Sequence, residues 1–227
     1  MLSIVIPVLD EAPSIRDSLA RLQPLRSRGT QVLVVDGGSA DGTREIARPL
    51  ADALIEAPRG RAVQMNAGAR ASRGEVLLFL HADTILPEGA DASIDSALSP
   101  GSRQWGRFDV AISGANPMLR VVAFFMNARS RLTGIATGDQ AMFMTRRAFD
   151  DVGGFPAIPL MEDVAMSTAL KHVSRPACLR ERVVTSGRRW ERHGALRTIL
   201  LMWRLRLAYA LGADPKQLAR SYDERSA

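Results

Sequence analysis

The feature that most limits how this chain can fold is a repeat of strand-like and helix-like runs through its first third. Residues 2–9 (LSIVIPVL), 31–36 (QVLVVD) and 75–80 (EVLLFL) are short, apolar and rich in branched side chains, and 52–57 is a weaker run of the same kind. Between them, residues 13–25 carry Ile15, Leu19 and Leu22 at helical spacing behind Pro13, which suits a first helical turn. Residues 41–50, with Asp41 placed to cap, and 60–71 read as two more helices. Strands that are apolar throughout, rather than alternating, belong to a parallel sheet covered on both faces. Crossovers in such a sheet are right-handed, and ligands bind beyond the carboxyl ends of its strands. The residues to inspect are therefore Asp10 and Glu11, Asp36-Gly-Gly-Ser, and His81-Ala-Asp83.

The second half is less regular. Strands are expected at 103–112, 141–144 and 180–185, and helices at 116–132, 146–152, 163–172, 196–211 and 215–222, with Gly153-Gly154 as a turn. No Ser/Gly linker, low-complexity segment or internal repeat divides the chain, and 227 residues are ample for one buried core. One domain over 1–227 is the simplest account.

Composition narrows the function. All but two of the 30 basic residues, Lys171 and Lys216, are arginines, and the formal net charge is +6. That skew reflects either codon usage or anionic partners. Aromatic residues make up only 5%, and no arginine block is interleaved with them, so a nucleic-acid role has little support. The lone cysteine, Cys178, excludes an intrachain disulfide and fits a reducing, cytoplasmic setting. The apolar start lacks a positive n-region and meets Asp10 and Glu11, unlike a signal peptide. No apolar stretch reaches the ~18 residues of a membrane span.

Acidic residues close three apolar runs. Asp36 enters Asp-Gly-Gly-Ser-Ala-Asp-Gly-Thr, where it either accepts hydrogen bonds from a base or ribose or belongs to a plain capped turn. Asp83 follows Leu-Leu-Phe-Leu-His-Ala and can hold a hard divalent cation, Mg²⁺ or Mn²⁺, that also takes diphosphate oxygens. His81 offers a nitrogen ligand; the competing role for Asp83 is to cap a helix near Pro87. Glu162 and Asp163 stand at a helix start, as a general base or as capping acids. Arg188-Arg189-Trp190 follows a strand; two guanidiniums can neutralise a diphosphate while an indole packs on a ring, or the trio is a surface pair beside a core tryptophan. Arg59 and Arg61, near the third strand's end, could also reach phosphate, solvated surface arginines being the commoner case.

In order and spacing, these segments resemble the family 2 glycosyltransferases. The residues that carry the likeness are Ser3-Ile-Val-Ile-Pro-Val-Leu-Asp-Glu11, Val34-Val-Asp-Gly-Gly-Ser-Ala-Asp-Gly-Thr43, Leu78-Phe-Leu-His-Ala-Asp83, Gly138-Asp-Gln-Ala-Met-Phe-Met144, Val152-Gly-Gly-Phe155, Met161-Glu-Asp163 and Arg189-Trp190. The resemblance implies an α/β fold of the GT-A type, a mostly parallel sheet flanked by helices. A nucleotide-sugar-binding half would span 1–112, an acceptor and catalytic half 113–190, and C-terminal helices 191–227.

The resemblance also implies roles. Pro7, Asp10, Glu11 and Asp36 would lie on the nucleotide side, with Asp36 at the base or ribose. Arg61, Asp139, Arg188, Arg189 and Trp190 would complete the donor site. Asp83 matches the last acid of the family's Asp-x-Asp metal motif, with His81 in place of the first. Asp163 would be the base that deprotonates an acceptor hydroxyl, with Glu162 beside it. Ser186 stands where processive synthases have Gln, so transfer of a single sugar is expected. The donor would be a nucleotide-diphospho-sugar, a uridine diphosphate sugar being the family's common choice, and the acceptor a small molecule or lipid-linked. The order Gly-Asp-Gln, Pro-x-Met-Glu-Asp, Ser-x-Arg-Arg-Trp is similar to a small bacterial subgroup linked to radical-SAM gene neighbourhoods and arsenosugar biosynthesis.

Two other classes compete. A nucleotide-sugar sensor or inactive paralogue would have no need of Asp83, Glu162 and Asp163. A nucleotidyltransferase would need a basic, Gly-rich loop where this chain has Asp10-Glu11-Ala-Pro, which repels a triphosphate.

Two apolar helices remain. Val121-Val-Ala-Phe-Phe-Met126 is flanked by Arg120, Arg129 and Arg131, and Ile199-Leu-Leu-Met-Trp203 by Arg197, Arg204 and Arg206. On a helix, Arg197 and Arg204 share a face and Arg206 points nearly opposite, so the stripe is not a clean interfacial one. Such helices fit the core, a homodimer, or peripheral contact with the inner face of an anionic membrane.

Overall fold

The computed structural model describes residues 1–99, 101, 103–188, 190 and 194–226, with side chains for all of these but 195–196 and 223–226. The strands are β1 (Leu2–Val8), β2 (Gln31–Asp36), β3 (Ala53–Glu56), β4 (Val76–Phe79), β5 (Thr84–Ile85), β6 (Trp105–Ser113), β7 (Phe143–Thr145) and β8 (Ala177–Ser186). The helices are α1 (Ala12–Ser27), α2 (Thr43–Ala47), α3 (Arg61–Ala71), α4 (Ala90–Ala97), α5 (Met118–Thr133), α6 (Arg146–Asp151), α7 (Glu162–Val173), α8 (Ala195–Ala210) and α9 (Pro215–Ser226).

The strands form one sheet in the order β3-β2-β1-β4-β7-β6-β8-β5. Its first half is parallel, as the sequence implies, with β1 between β2 and β4 and β3 outside β2. The second half is mixed. β7 runs antiparallel to both β4 and β6, β8 runs parallel to β6, and β5 is antiparallel to β8.

Alternation of side chains along each strand builds two layers of core. Ile4 and Ile6 face one side with Val34 and Leu78, under Ile15, Leu19 and Leu22 of α1 and Ile94 of α4. Val5 faces the other with Leu33, Val35 and Leu77, under Met65 and Ala69 of α3 and Met166 and Leu170 of α7. This is the doubly covered arrangement that uniformly apolar strands require. A third cluster joins Met161 to Leu205 and Leu218, with Val164 and Met202 against it. It fastens α8 and α9 to the start of α7.

Several elements differ from the sequence reading. The helix expected at 41–50 is α2 followed by a 3-10 turn over Arg48–Leu50, because Pro49 has no N–H to continue an α-helix. Helix α4 begins at Ala90 behind Gly89, so Asp83 caps nothing. Strand β5 is too short to read in a sequence, yet it pairs Thr84 with Thr185 and Ile85 with Val184. That pairing draws the His81-Ala-Asp83 turn beside the end of β8.

Neither apolar helix is fully absorbed by the core. Leu119, Val122 and Ala123 of α5 are buried, but Phe124 and Phe125 are 66% and 61% exposed. On α8, Leu205 is buried while Leu200, Trp203 and Leu207 are exposed. No helix among the described residues is long and apolar enough to cross a membrane.

Candidate active site

The loops after β1 and β2 are laced together at the carboxyl edge of the sheet. The Asp10 N–H donates to Ser39 Oγ at 2.9 Å, the Ala40 N–H to Asp10 Oδ1 at 2.9 Å, and the Glu11 N–H to Thr43 Oγ1 at 2.8 Å. Asp10 has φ +52°, a left-handed conformation costly for a residue with a side chain, held by these bonds. Behind them Gln64 of α3 donates from its amide to the carbonyls of Val8 and Val35, 2.8 Å each, tying both strand ends together.

Asp36 is fully buried, and its carboxylate is consumed by its own turn. It accepts from the Gly38 N–H at 2.9 Å, the Ser39 N–H at 3.0 Å and the Ser39 hydroxyl. The sequence reading placed Asp10 and Asp36 on the nucleotide side; neither is among the residues lining the cavity, and both carboxylates accept hydrogen bonds from the loop after β2.

A single open cavity of about 730 Å³ gathers most of the other residues. Pro7 reaches it from β1 and Glu11 from the loop after it, Arg61 from the start of α3, and His81 and Asp83 from the turn after β4. Asp139 enters from the 3-10 turn Gly138–Gln140, Glu162 and Asp163 from the start of α7, and Arg188 and Trp190 from beyond β8. Arg189 lies outside the described residues.

The acids of α7 are set apart by their surroundings. Glu162 is 4% exposed, and Arg61 Nη1 lies 3.6 Å from its Oε1. Burial raises its carboxyl above the usual range, the neighbouring Asp163 charge adds to this, and Arg61 opposes it. Asp163 does not cap the helix end at Met161. Its Oδ2 accepts from the Gly138 N–H at 2.9 Å and its Oδ1 from the Val164 N–H at 2.7 Å. Two backbone donors thus fix the position of its carboxylate at the start of α7.

Asp83 makes no hydrogen bond or ion pair among the described residues, so its oxygens are free to bind something else. His81 is less open than the sequence suggests. Its Nδ1 lies 3.4 Å from Asp139 Oδ1, and its buried, unpartnered Nε2 abuts Gly138, where a Cβ would lie 2.4 Å away. Among the described residues no three acids, histidines or cysteines cluster as a closed metal cage.

Two arginines complete the cavity that the sequence reading left as helix flanks. Arg129 of α5 and Arg206 of α8 both line it. The only signal in the sequence was Arg206 falling on the face of α8 opposite Arg197 and Arg204.

The model of "Glycosyl transferase family 2" matches residues 3–153. The chain belongs to this family. The match ends before Glu162, so the α7 acids lie outside it. Among curated family relatives, "Glycosyltransferase AglE" of Haloferax volcanii is 40% identical over 90 residues, covering 36% of this chain and 30% of that protein. Succinoglycan biosynthesis protein ExoA of Rhizobium meliloti is 53% identical over 49 residues, 21% of this chain and 15% of that one. The chain therefore aligns with less than a third of either relative's length.

Solved structures share the fold. The mannosyltransferase PcManGT of Pyrobaculum calidifontis, in complex with GDP-Man and Mn²⁺, has a TM-score of 0.65 at 23% identity, over 91% of this chain and 60% of that one. TarS of S. aureus, in complex with UDP-GlcNAc, has a TM-score of 0.62 at 15% identity, over 82% and 58%. The expected α/β, GT-A-type architecture with a mostly parallel sheet is thus the observed one.

Proposed function

We propose that this chain transfers a single sugar from a nucleotide-diphospho-sugar to an acceptor hydroxyl, with inversion at the anomeric carbon. The observation that carries the reading is the convergence of Asp83 and Asp163 on one cavity at the carboxyl edge of a family 2 sheet. Nucleotide sugars bound by solved neighbours, GDP-Man in one and UDP-GlcNAc in another, support the donor class.

Pro7 and Glu11 border the nucleotide end, and Trp190 offers an apolar face to a ring. Asp83 would hold a divalent cation, Mg²⁺ or Mn²⁺, with His81 and Asp139 as a paired support behind it. Such an ion, when bound, supplies Lewis acidity toward the diphosphate. Arg188 is 3.9 Å from Glu11 Oε2. A diphosphate arriving there would compete with Glu11 for that guanidinium, which would offset the negative charge developing on the leaving group. Asp163, anchored by the N–H groups of Gly138 and Val164, takes the proton from the acceptor hydroxyl. The oxygen forms a bond to the anomeric carbon as the bond to the nucleoside diphosphate breaks. Buried Glu162, held by Arg61, keeps a proton or a paired charge and orients the start of α7. Holding both substrates in one cavity supplies much of the rate gain.

Ser186, in place of a processive enzyme's glutamine, supports one sugar per reaction. The order of motifs around Asp139, Glu162 and Trp190 supports the small bacterial subgroup named above. The apolar faces of α5 and α8 leave a homodimer or peripheral attachment to a membrane's inner face as the settings in which it would act.

A thermal-shift panel of nucleoside diphosphates and nucleotide-sugars, with and without Mn²⁺, tests the donor class. A ligand-specific rise that grows with Mn²⁺ is expected. No rise with any of them would remove the proposal.

A further inference from the structure

The cavity's cations are not equivalent. Arg61 faces Glu162 and Arg188 faces Glu11, but Arg129 and Arg206 make no ion pair among the described residues. Arg129 Nε and Nη2 and Arg206 Nε are buried without a hydrogen-bond partner. Nearby, the fully buried Arg107 shows what a structural arginine in this protein looks like. It donates to Ser130 Oγ at 3.0 Å and is paired with Asp109, which Arg131 also holds at 2.7 Å. Leaving buried donors of a charged group unsatisfied is costly, so two such arginines, each within reach of the other's charge, mark a place kept for an anion.

Their position says which anion. Both lie close enough to Asp163 for its charge to act on them, and Arg206 acts on Arg129. They come from α5 and α8, whereas Pro7 and Glu11 come from the first strand and the loop after it. The walls beyond them are apolar, formed by Val121, Phe125, Ile199, Met202 and Trp203.

We propose that Arg129 and Arg206 form an acceptor subsite, and that the acceptor carries an anionic group of the phosphate monoester kind. This rests on the sugar-transfer reading and deepens it. The anion lies between the two guanidiniums, and the acceptor hydroxyl is thereby delivered to Asp163. Transfer then breaks the bond between the sugar and the nucleoside diphosphate, forms the glycosidic bond, and leaves the hydroxyl proton on Asp163. The same phosphate chemistry exists on a lipid headgroup, whose tail the apolar wall would cover, and on a small metabolite.

The test is binding of glycerol phosphate and of dodecyl phosphate below its micellar concentration to the full chain, by calorimetry, against glycerol and an uncharged dodecyl glycoside. Each titration is run with and without saturating nucleoside diphosphate and Mn²⁺. At least one phosphate is expected to bind ten or more times tighter than its uncharged counterpart and to stay bound alongside the nucleoside diphosphate. Tighter binding of dodecyl phosphate assigns a lipid source, and equal binding a metabolite. R129Q and R206Q are each expected to weaken phosphate binding about tenfold, and R129K less. Equal binding of charged and uncharged compounds, which needs no variant, overturns the proposal. So does displacement of the phosphate by nucleoside diphosphate, which would give the arginines to the donor. Failure of nucleoside diphosphate itself to bind is a separate result, and it counts against the donor reading rather than the subsite.

Discussion

The backbone N–H of Gly138 donates to Asp163 Oδ2 at 2.9 Å, joining the turn after α5 to the first residues of α7. The same glycine abuts His81, where a Cβ would stand 2.4 Å from Nε2. One residue therefore spaces the candidate base from the candidate metal turn. Gly138→Ala is expected to cost about 1–3 kcal/mol by overpacking and to slow turnover at least tenfold. Thermal melts and nucleoside diphosphate release measure both, and a variant unchanged in either would contradict this spacing role.

Asp83 has no hydrogen-bond or ion-pair partner among the described residues, so its loss should be felt through the ion rather than the fold. Asp83→Ala is expected to retain the wild-type melting temperature without ligand. The part of nucleoside diphosphate stabilisation that depends on Mn²⁺ should disappear. A full Mn²⁺-dependent shift in the variant would take Asp83 out of the metal site.

Glu162 has a carboxyl raised by burial and by Asp163. A raised acid binds more protons folded than unfolded, so its contribution to stability is complete below its unfolded value and is lost as pH rises through the folded one. The stability of the wild type relative to Glu162→Gln is therefore expected to fall as pH rises above about 4.5, the ordinary glutamate range. Urea unfolding at a series of pH values reads this directly. A difference that grows with pH would mean that the Arg61 pair dominates instead.

Arg129 is held in the cavity at a cost. Burial pushes its guanidinium down to about 10, with the charge of Arg206 adding to the effect and Asp163 opposing it. Replacing an unpaired, largely buried cation with an apolar side chain of similar length should stabilise the fold. Arg129→Met is expected to raise the unfolding free energy by ~1–2 kcal/mol at neutral pH, seen as a higher melting temperature. A lower one would mean that Arg129 supports the fold through contacts it makes there.

The sheet's parallel half was legible because its strands are apolar without alternation, and the residues at their ends followed from that pattern. Asp83, Glu162 and Asp163 were reachable as acids closing apolar runs. Asp10 and Asp36 shared that signature, and what the sequence did not show is that both carboxylates also accept backbone N–H bonds of the loop after β2. Strand β5 was invisible because two residues carry no period, though it sets Asp83 beside β8. Arg129 and Arg206 were hidden for another reason. Only the packing of Leu205 and Leu218 against Met161 holds α8 so that Arg206 lines the cavity within reach of the Asp163 charge.

The central claim is that Asp163 is the base for sugar transfer, and Asp163→Asn tests it most directly. The carboxamide still accepts a hydrogen bond from Gly138 but cannot take a proton at neutral pH. Nucleoside diphosphate release from the best-binding nucleotide-sugar, measured beside donor affinity, is expected to slow by about 10²–10⁴ while affinity is kept. Turnover at the wild-type rate in this variant would contradict the account.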